Sequence, residues 1–393
     1  MTTARLDLAR AGAGPGPATR DRIERVTLSS VVVPLRTAVT DAKVLTGRQR
    51  ALTEVTLLVA EIRTEAGLEG MGFGYCLRAG AAAQFAHARE VAPDLVGEDP
   101  SDIGRLWTKL VWAGASVGRS GVATQAIAAM DTALWDLKAK RAGLPLAKLL
   151  GAHRDSVRCY NTGGGYLHAP IGEVLDSASA SLASGIGGVK IKVGQPDLAE
   201  DLRRLRAVRE HVGDDVPIMV DANQQWDRPT AMRAGRALDE FGLVWIEEPL
   251  DAYDAEGHAQ LARALDTAVA TGEMLTGLAE FDEFVRLGAA DVLQPDAPRI
   301  GGITPYLKLA GLAEHRNLAV APHFVMEIHV HLAAAYPQDG WVEHFDWLHP
   351  VFEERLEISG GRMHLSDRPG LGLTLSEQAR AWTVARAVAD APR

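Results

Sequence analysis

Between residues 157 and 343 the chain repeats one pattern eight times, a short apolar run followed by a longer amphipathic stretch. The runs lie at 157–160, 188–193, 217–221, 243–247, 268–271, 291–294, 318–321 and 341–343. Runs this short and rich in Val, Ile and Leu suit strands buried on both faces, with the amphipathic stretches as covering helices. Strands joined through helices are parallel. Eight of them at a steady interval predict closure into a (β/α) barrel, a modified TIM barrel, rather than an open doubly wound sheet.

The chain has 393 residues, and a barrel takes about 250 of them in the usual case, which leaves room for a smaller unit. Residues 25–35 and 54–63 predict strands, with a polar loop at 41–49 between them. The glycine-rich stretch 72–80 predicts a second loop, and 82–148 reads as mostly helical. Strands followed by helices predict an α+β capping domain. A Ser-Gly-Gly turn within 355–375 predicts a segment that packs back on that first domain. The expected division is a disordered tail at 1–21, the cap at 22–150, the barrel at 151–350 and a C-terminal segment, 351–393, returning to the cap.

A net charge of −10 argues against a nucleic-acid partner, which calls for clustered Lys and Arg. An anionic ligand must then be met by local cations. No run of about 18 apolar residues is present to span a membrane. The first twenty residues lack the apolar stretch of a signal peptide. Two cysteines, Cys76 and Cys159, fit a cytoplasmic protein without a disulfide framework.

The strand ends carry the chemistry. Asp221 closes Ile-Met-Val-Asp, Glu247 closes Val-Trp-Ile-Glu, and Glu273 follows Ala-Thr-Gly, at equal intervals of one strand–helix unit. In a barrel, three such carboxylates emerge on neighbouring strands at the C-terminal rim, where barrel active sites lie. A single acidic residue there is often only a helix cap. Three in succession repel one another unless a hard cation joins them, and oxygen donors of this kind suit Mg²⁺. Glu248 adjoins Glu247, and strand alternation turns it to the other face, in a structural role.

One strand earlier, Lys190 and Lys192 in Gly-Val-Lys-Ile-Lys-Val share a face. Lysines in an apolar barrel strand are costly without a purpose, and one beside a cation, partly desolvated, has a lowered pKa and can act as a base. Across the barrel, Asp296 and His323 lie one unit apart, so the carboxylate can orient the imidazole. Glu343 can offer a protonated carboxyl or a hydrogen bond to a developing oxyanion. His329 and His331 read as packing or surface residues.

These positions together resemble the mandelate-racemase subgroup of the enolase superfamily. The likeness rests on Lys190-x-Lys192, Asp221-x-Asn223, Ile-Glu247-Glu-Pro, Gly-Glu273, Pro-Asp296, His323 and Glu343, and also on Asp131-Thr-Ala-Leu-Trp135-Asp. Asp-Ala-Lys-Val-Leu-Thr-Gly-Arg-Gln49 and Val-Asp-Ala-Asn-Gln-Gln-Trp-Asp-Arg228 resemble more closely that family's dehydratases of aldarates such as galactarate and L-talarate. The resemblance implies an enolase-like barrel with an α+β cap. Asp221, Glu247 and Glu273 would hold Mg²⁺, Lys192 and His323 would be the acid/base pair, and Asp296 would tune His323. Lys190, Asn223, Asp41, Lys43 and Arg78 would contact the substrate, and the chain would form a homo-oligomer. Two positions depart from the close relatives: Leu77 stands where they carry a lysine, and Gly163 where they carry serine.

The expected activity is loss of water from a sugar acid through α-proton abstraction to an enediolate, giving a 2-keto-3-deoxy acid. The alternative is a racemase or epimerase of a 2-hydroxy acid, using the same two bases. A non-catalytic sugar-acid binding protein would not need all three metal ligands and both bases.

Overall fold

A computed structural model describes residues 21–391. The tail expected at 1–21 lies outside the described residues except for Asp21, whose carboxylate takes the Arg141 guanidinium. Strands β1 (Ile23–Val39), β2 (Leu52–Thr64) and β3 (Glu69–Leu77) form an antiparallel meander. The loop at 41–49 contains one short helix, Ala42–Leu45.

The second expected loop is corrected by the structure, because most of 72–80 belongs to β3. Its glycines serve close packing rather than a turn. Gly70 and Gly72 share the face on which helix Val122–Ala142 lies. A Cβ on Gly70 would stand 2.3 Å from the Ala133 carbonyl oxygen, and one on Gly72 2.2 Å from that of Ala129. Only a strand without side chains at those two places lets the helix approach so near. The helix meets it with small residues, Ala126, Ala129 and Ala133, all fully buried.

The barrel strands follow in order: β4 (Ser156–Asn161), β5 (Gly188–Lys192), β6 (Ile218–Asp221), β7 (Ile246–Glu247), β8 (Val269–Thr271), β9 (Val292–Leu293), β10 (Ala319–Val320) and β11 (Trp341–His344). Each from β4 to β9 pairs in parallel with the next, and β11 pairs in parallel with β4. Register places Lys192 opposite Asp221 and Asp221 opposite Glu247, one row across three strand ends. Below that row Tyr160, Met219, Trp245 and Trp341 fill the barrel, with the Tyr160 and Trp245 rings edge to face at 5.3 Å. The polar groups therefore gather only at the C-terminal mouth.

The C-terminal segment divides, its Ser-Gly-Gly turn going to the barrel rather than to the cap and its last strand to the cap. Strands β12 (Glu357–Ser359) and β13 (Arg362–His364) form a hairpin whose second strand pairs antiparallel with β4, at Arg362 opposite Arg158. The first residues of β4 offer backbone groups on that side, and the hairpin satisfies them. Farther along, Gly370 and Leu371 donate to Leu144 and Asp136 of the cap, and β14 (Thr383–Asp390) pairs antiparallel with β1, completing a sheet in the order β14-β1-β2-β3. One apolar core joins the two units: Val55, Leu57, Phe73 and Tyr75 of the cap pack with Phe281, Ile300, Phe324 and Phe352. Among the described residues no helix is long and apolar enough to cross a membrane.

Candidate active site

Between the cap loops and the barrel mouth lies a cavity of about 550 Å³. Lys190, Lys192, Asn223, Glu273, His323 and Glu343 line it from the barrel, and Asp41, Lys43, Leu77 and Arg78 from the cap. Asp221 and Glu247 do not face the open space; they stand behind the two lysines.

On one side the lysines meet the carboxylates. Lys190 Nζ is 2.6 Å from Glu247 Oε1, 2.9 Å from Glu343 Oε1 and 3.8 Å from Asp221 Oδ2. Lys192 pairs directly with Asp221. The far oxygen of Glu247 accepts from Trp245 Nε1 at 3.0 Å and from Gln294 Nε2 at 2.7 Å. Asn223, at φ 45°, folds back so that its amide N donates to Asp221 Oδ1 at 2.7 Å. Such a backbone is uncommon outside glycine and here is held by the carboxylate it serves.

Burial pulls the Lys192 ammonium toward neutrality, but Asp221 outweighs it and its pKa is raised. The downward shift expected for Lys192 is thus reversed, because its nearest charge here is a carboxylate rather than a cation. Burial and the neighbouring carboxylates push Glu247 up against the opposing pull of Lys190. Glu248 also departs from expectation. At φ 39° the chain leaves extended geometry, so alternation fails and Glu248 stays with the acidic cluster. It accepts from Gln224 Nε2 at 2.9 Å and lies 3.7 Å from Lys43 Nζ. Burial, then the nearby Glu273, push it up to about 8.

The other side is built on His323. Its Nδ1 is 2.9 Å from Asp296 Oδ2, and its Nε2 is 3.4 Å from Glu273 Oε2. Burial lowers its pKa, but Glu273, Asp296 and Glu343 together raise it to about 9. Glu343 accepts from Thr162 Oγ1 at 2.5 Å and from the Phe324 amide at 3.0 Å, besides Lys190. Burial opposes its ionisation, yet Lys190 and His323 hold it well below the usual range. In each of these contacts Glu343 is the acceptor. His329 and His331 are both buried, and His329 Nε2 accepts from the Ala297 amide at 3.1 Å.

The cap loops bring their polar residues to the cavity, but in pairs. Asp41 caps the short helix through the Val44 amide at 3.1 Å and also takes Arg78 Nη2 at 3.1 Å. Gly163 does not line the cavity. It lies in the loop after β4, where an added Cβ would meet Asn161 Oδ1 at 3.3 Å. Sequence reasoning passed over Thr162, Tyr75 and Arg299. Thr162 touches Glu343, and Tyr75 and Arg299 join Asp296 through hydrogen bonds. Tyr75 was hidden in the stretch read as a loop, and Arg299 in a motif noted only for Asp296.

The donors suit a hard cation. Asp221, Glu247 and Glu273 offer only oxygen, and the last two push against each other electrostatically. Asn223 Oδ1 is buried without a hydrogen-bond partner, an acceptor left over where acceptors already crowd. Among the described residues no three acidic, imidazole or thiol groups are yet gathered into a closed cage. Each carboxylate is instead matched by a cation of the site: Asp221 by Lys192, Glu247 by Lys190, Glu273 by His323. Residue types and neighbourhood fit Mg²⁺, with closure left to its arrival.

Comparison with known proteins agrees with this architecture. Residues 31–151 match the mandelate racemase/muconate lactonizing enzyme N-terminal domain, and residues 173–379 the enolase C-terminal domain-like family. The L-talarate/galactarate dehydratase of Salmonella typhimurium is 63% identical over 365 residues, covering 93% of this chain and 92% of the relative. The 3,6-anhydro-alpha-L-galactonate cycloisomerase of Streptomyces coelicolor is 38% identical, covering 90% of this chain and 97% of its own. The crystal structure of L-talarate dehydratase from Polaromonas sp. JS666 complexed with Mg and L-glucarate superposes with a TM-score of 0.93 at 65% identity, covering 95% of this chain and all of that one. The chain belongs to the mandelate racemase/muconate lactonizing enzyme family of the enolase superfamily.

Proposed function

We propose that this protein is a Mg²⁺-dependent sugar-acid dehydratase acting on galactarate and L-talarate. The observation that carries the reading is the placing of two candidate bases, Lys192 and His323, on one cavity, with Asp221, Glu247 and Glu273 at the ends of the strands that intervene. The relatives named for those substrates support the choice among sugar acids.

Asp221, Glu247 and Glu273 would hold Mg²⁺, which supplies Lewis-acid polarisation of the substrate carboxylate and so acidifies its α-proton. Lys190, charged and buried, donates to a carboxylate oxygen and stabilises the enediolate as negative charge moves there. Lys192 Nζ is placed to take the α-proton from one face and His323 Nε2 from the other. The β-hydroxyl then leaves as water, taking its proton from the His323 imidazolium. The resulting enol becomes a 2-keto-3-deoxy acid by taking a proton from solvent at C3 and releasing its O–H proton. Lys43 and Arg78 stand at the far end of the cavity, where a second carboxylate would lie. Leu77 adds an apolar wall beside them.

Homo-oligomeric assembly and a cytoplasmic location belong to the same reading. The free thiols Cys76 and Cys159 support the second, and the exposed Trp112 and Val117 the first. The test of the activity is incubation with Mg²⁺ and a panel of aldaric and aldonic acids, assaying 2-keto acid. Turnover of galactarate or L-talarate is expected. Turnover of other acids alone would overturn the substrate assignment, and α-proton exchange with no keto acid would make the protein a racemase.

A further inference from the structure

The strand β3 that supplies the tight helix contact also sends Tyr75 into the barrel. Its hydroxyl is 2.6 Å from Asp296 Oδ2 and 3.3 Å from His323 Nδ1. Arg299 Nε donates to the same hydroxyl at 3.0 Å. The Tyr75 ring is buried, edge to face with Phe324 at 4.8 Å, and the Arg299 guanidinium lies 5.6 Å from its centroid.

Donor and acceptor capacity fixes the direction of every bond in this chain. A guanidinium has no acceptor, so Tyr75 Oη must receive from Arg299. Its one proton is then free to go to Asp296, whose ionised carboxyl only accepts. Asp296 Oδ1 is taken by the Arg299 amide at 3.1 Å, so Oδ2 receives both the tyrosine and the imidazole. That arrangement requires the proton on His323 Nδ1, so Nε2, the nitrogen facing the cavity, is the one that gains and loses a proton. Lys192 is not touched by any of these groups.

We propose that Tyr75, oriented by Arg299, is a positioning residue for the Asp296–His323 pair, so that the capping domain fixes the tautomer of one base and leaves the other alone. The inference rests on the two-base reading above. It makes proton transfer at the His323 face depend on Tyr75, and proton transfer at the Lys192 face independent of it. Losing an outer hydrogen-bond partner of this kind costs about 10- to 100-fold in activity.

The experiment uses Tyr75→Phe, which keeps the ring and its packing and removes only the hydroxyl. Wash-in of solvent deuterium is followed by NMR in D₂O with Mg²⁺, on both epimers of a 3-deoxy aldarate, which lacks the β-hydroxyl and so exchanges without losing water. His323→Asn and Lys192→Ala first identify the epimer served by each base. In Tyr75→Phe the His323 epimer should slow by about 10- to 100-fold in kcat with KM unchanged. The Lys192 epimer should exchange at the wild-type rate, which also shows that the variant is folded. Equal loss on both epimers would make Tyr75 merely structural, and no loss on either would remove its role; both outcomes overturn the proposal. Wild-type failure on every aldarate would count against the substrate reading instead, since exchange can be run on any 2-hydroxy acid that the protein accepts.

Discussion

Lys190 and Glu247 meet at 2.6 Å at the bottom of the cavity, each about 1% exposed. An ammonium placed there is surrounded by carboxylates on three strands, and it is what makes their joint burial tolerable. Replacing it with methionine leaves Glu247 and Glu343 buried without their partner. Breaking such a pair from one side costs roughly 3–5 kcal/mol. Lys190→Met should therefore melt well below the wild type in calorimetry without added metal. An unchanged melting temperature would show that the carboxylates are satisfied in some other way.

The same crowding predicts a response to metal. Protein stripped with a chelator should gain stability on addition of Mg²⁺, by about 2.7 kcal/mol at a hundred times the dissociation constant. Glu247→Gln removes one oxygen anion of the set and should remove most of that gain. A melting curve of the wild type that ignores Mg²⁺ would count against Asp221, Glu247 and Glu273 as ligands.

Gly72 tests the fold. A methyl group there would sit 2.2 Å from the Ala129 carbonyl oxygen, and the backbone of a helix has little room to withdraw. Gly72→Ala should destabilise the protein by at least the roughly 1–3 kcal/mol of an overpacked core, read as a lower denaturation midpoint in urea. Gly97→Ala, with no atom within 4 Å of the added carbon but a φ of 79°, should cost less than the clash does. If the two variants were equally stable, the account of β3 would be wrong.

The barrel is legible in the sequence because each strand announces itself locally. Ile-Met-Val-Asp221 and Val-Trp-Ile-Glu247 are apolar runs closed by a carboxylate, and register alone then sets the carboxylates side by side. What is not legible depends on partners distant along the chain. The glycines of β3 look like turn residues until helix Val122–Ala142 is laid across them. Tyr75 finds its acceptor 221 residues away. Glu248 faces the wrong way under strict alternation, and only a positive φ returns it to the acids. The hairpin β12–β13 carries no mark in its own residues that it belongs with β4 rather than with the cap.

Leu77 bears on specificity. It lines the cavity next to Arg78, and a lysine there would add a further cation facing the distal end of a dicarboxylate. Leu77→Lys should lower KM for aldarates by about two- to fivefold, the worth of a partly exposed ion pair, and leave aldonates, which lack that carboxylate, unaffected. Steady-state kinetics on galactarate and galactonate read the difference. Equal effects on both acids would separate Leu77 from recognition of the second carboxylate.

The central claim is that an α-proton is abstracted and a β-hydroxyl lost within one site. Its most direct measurement is an NMR time course of galactarate with the wild-type protein and Mg²⁺ in D₂O. The account predicts appearance of the 3-deoxy signal of a 2-keto acid carrying one solvent deuteron at C3, and no such signal with His323→Asn and Lys192→Ala combined. A 2-hydroxy acid that gains deuterium at C2 but keeps its β-hydroxyl throughout would contradict it.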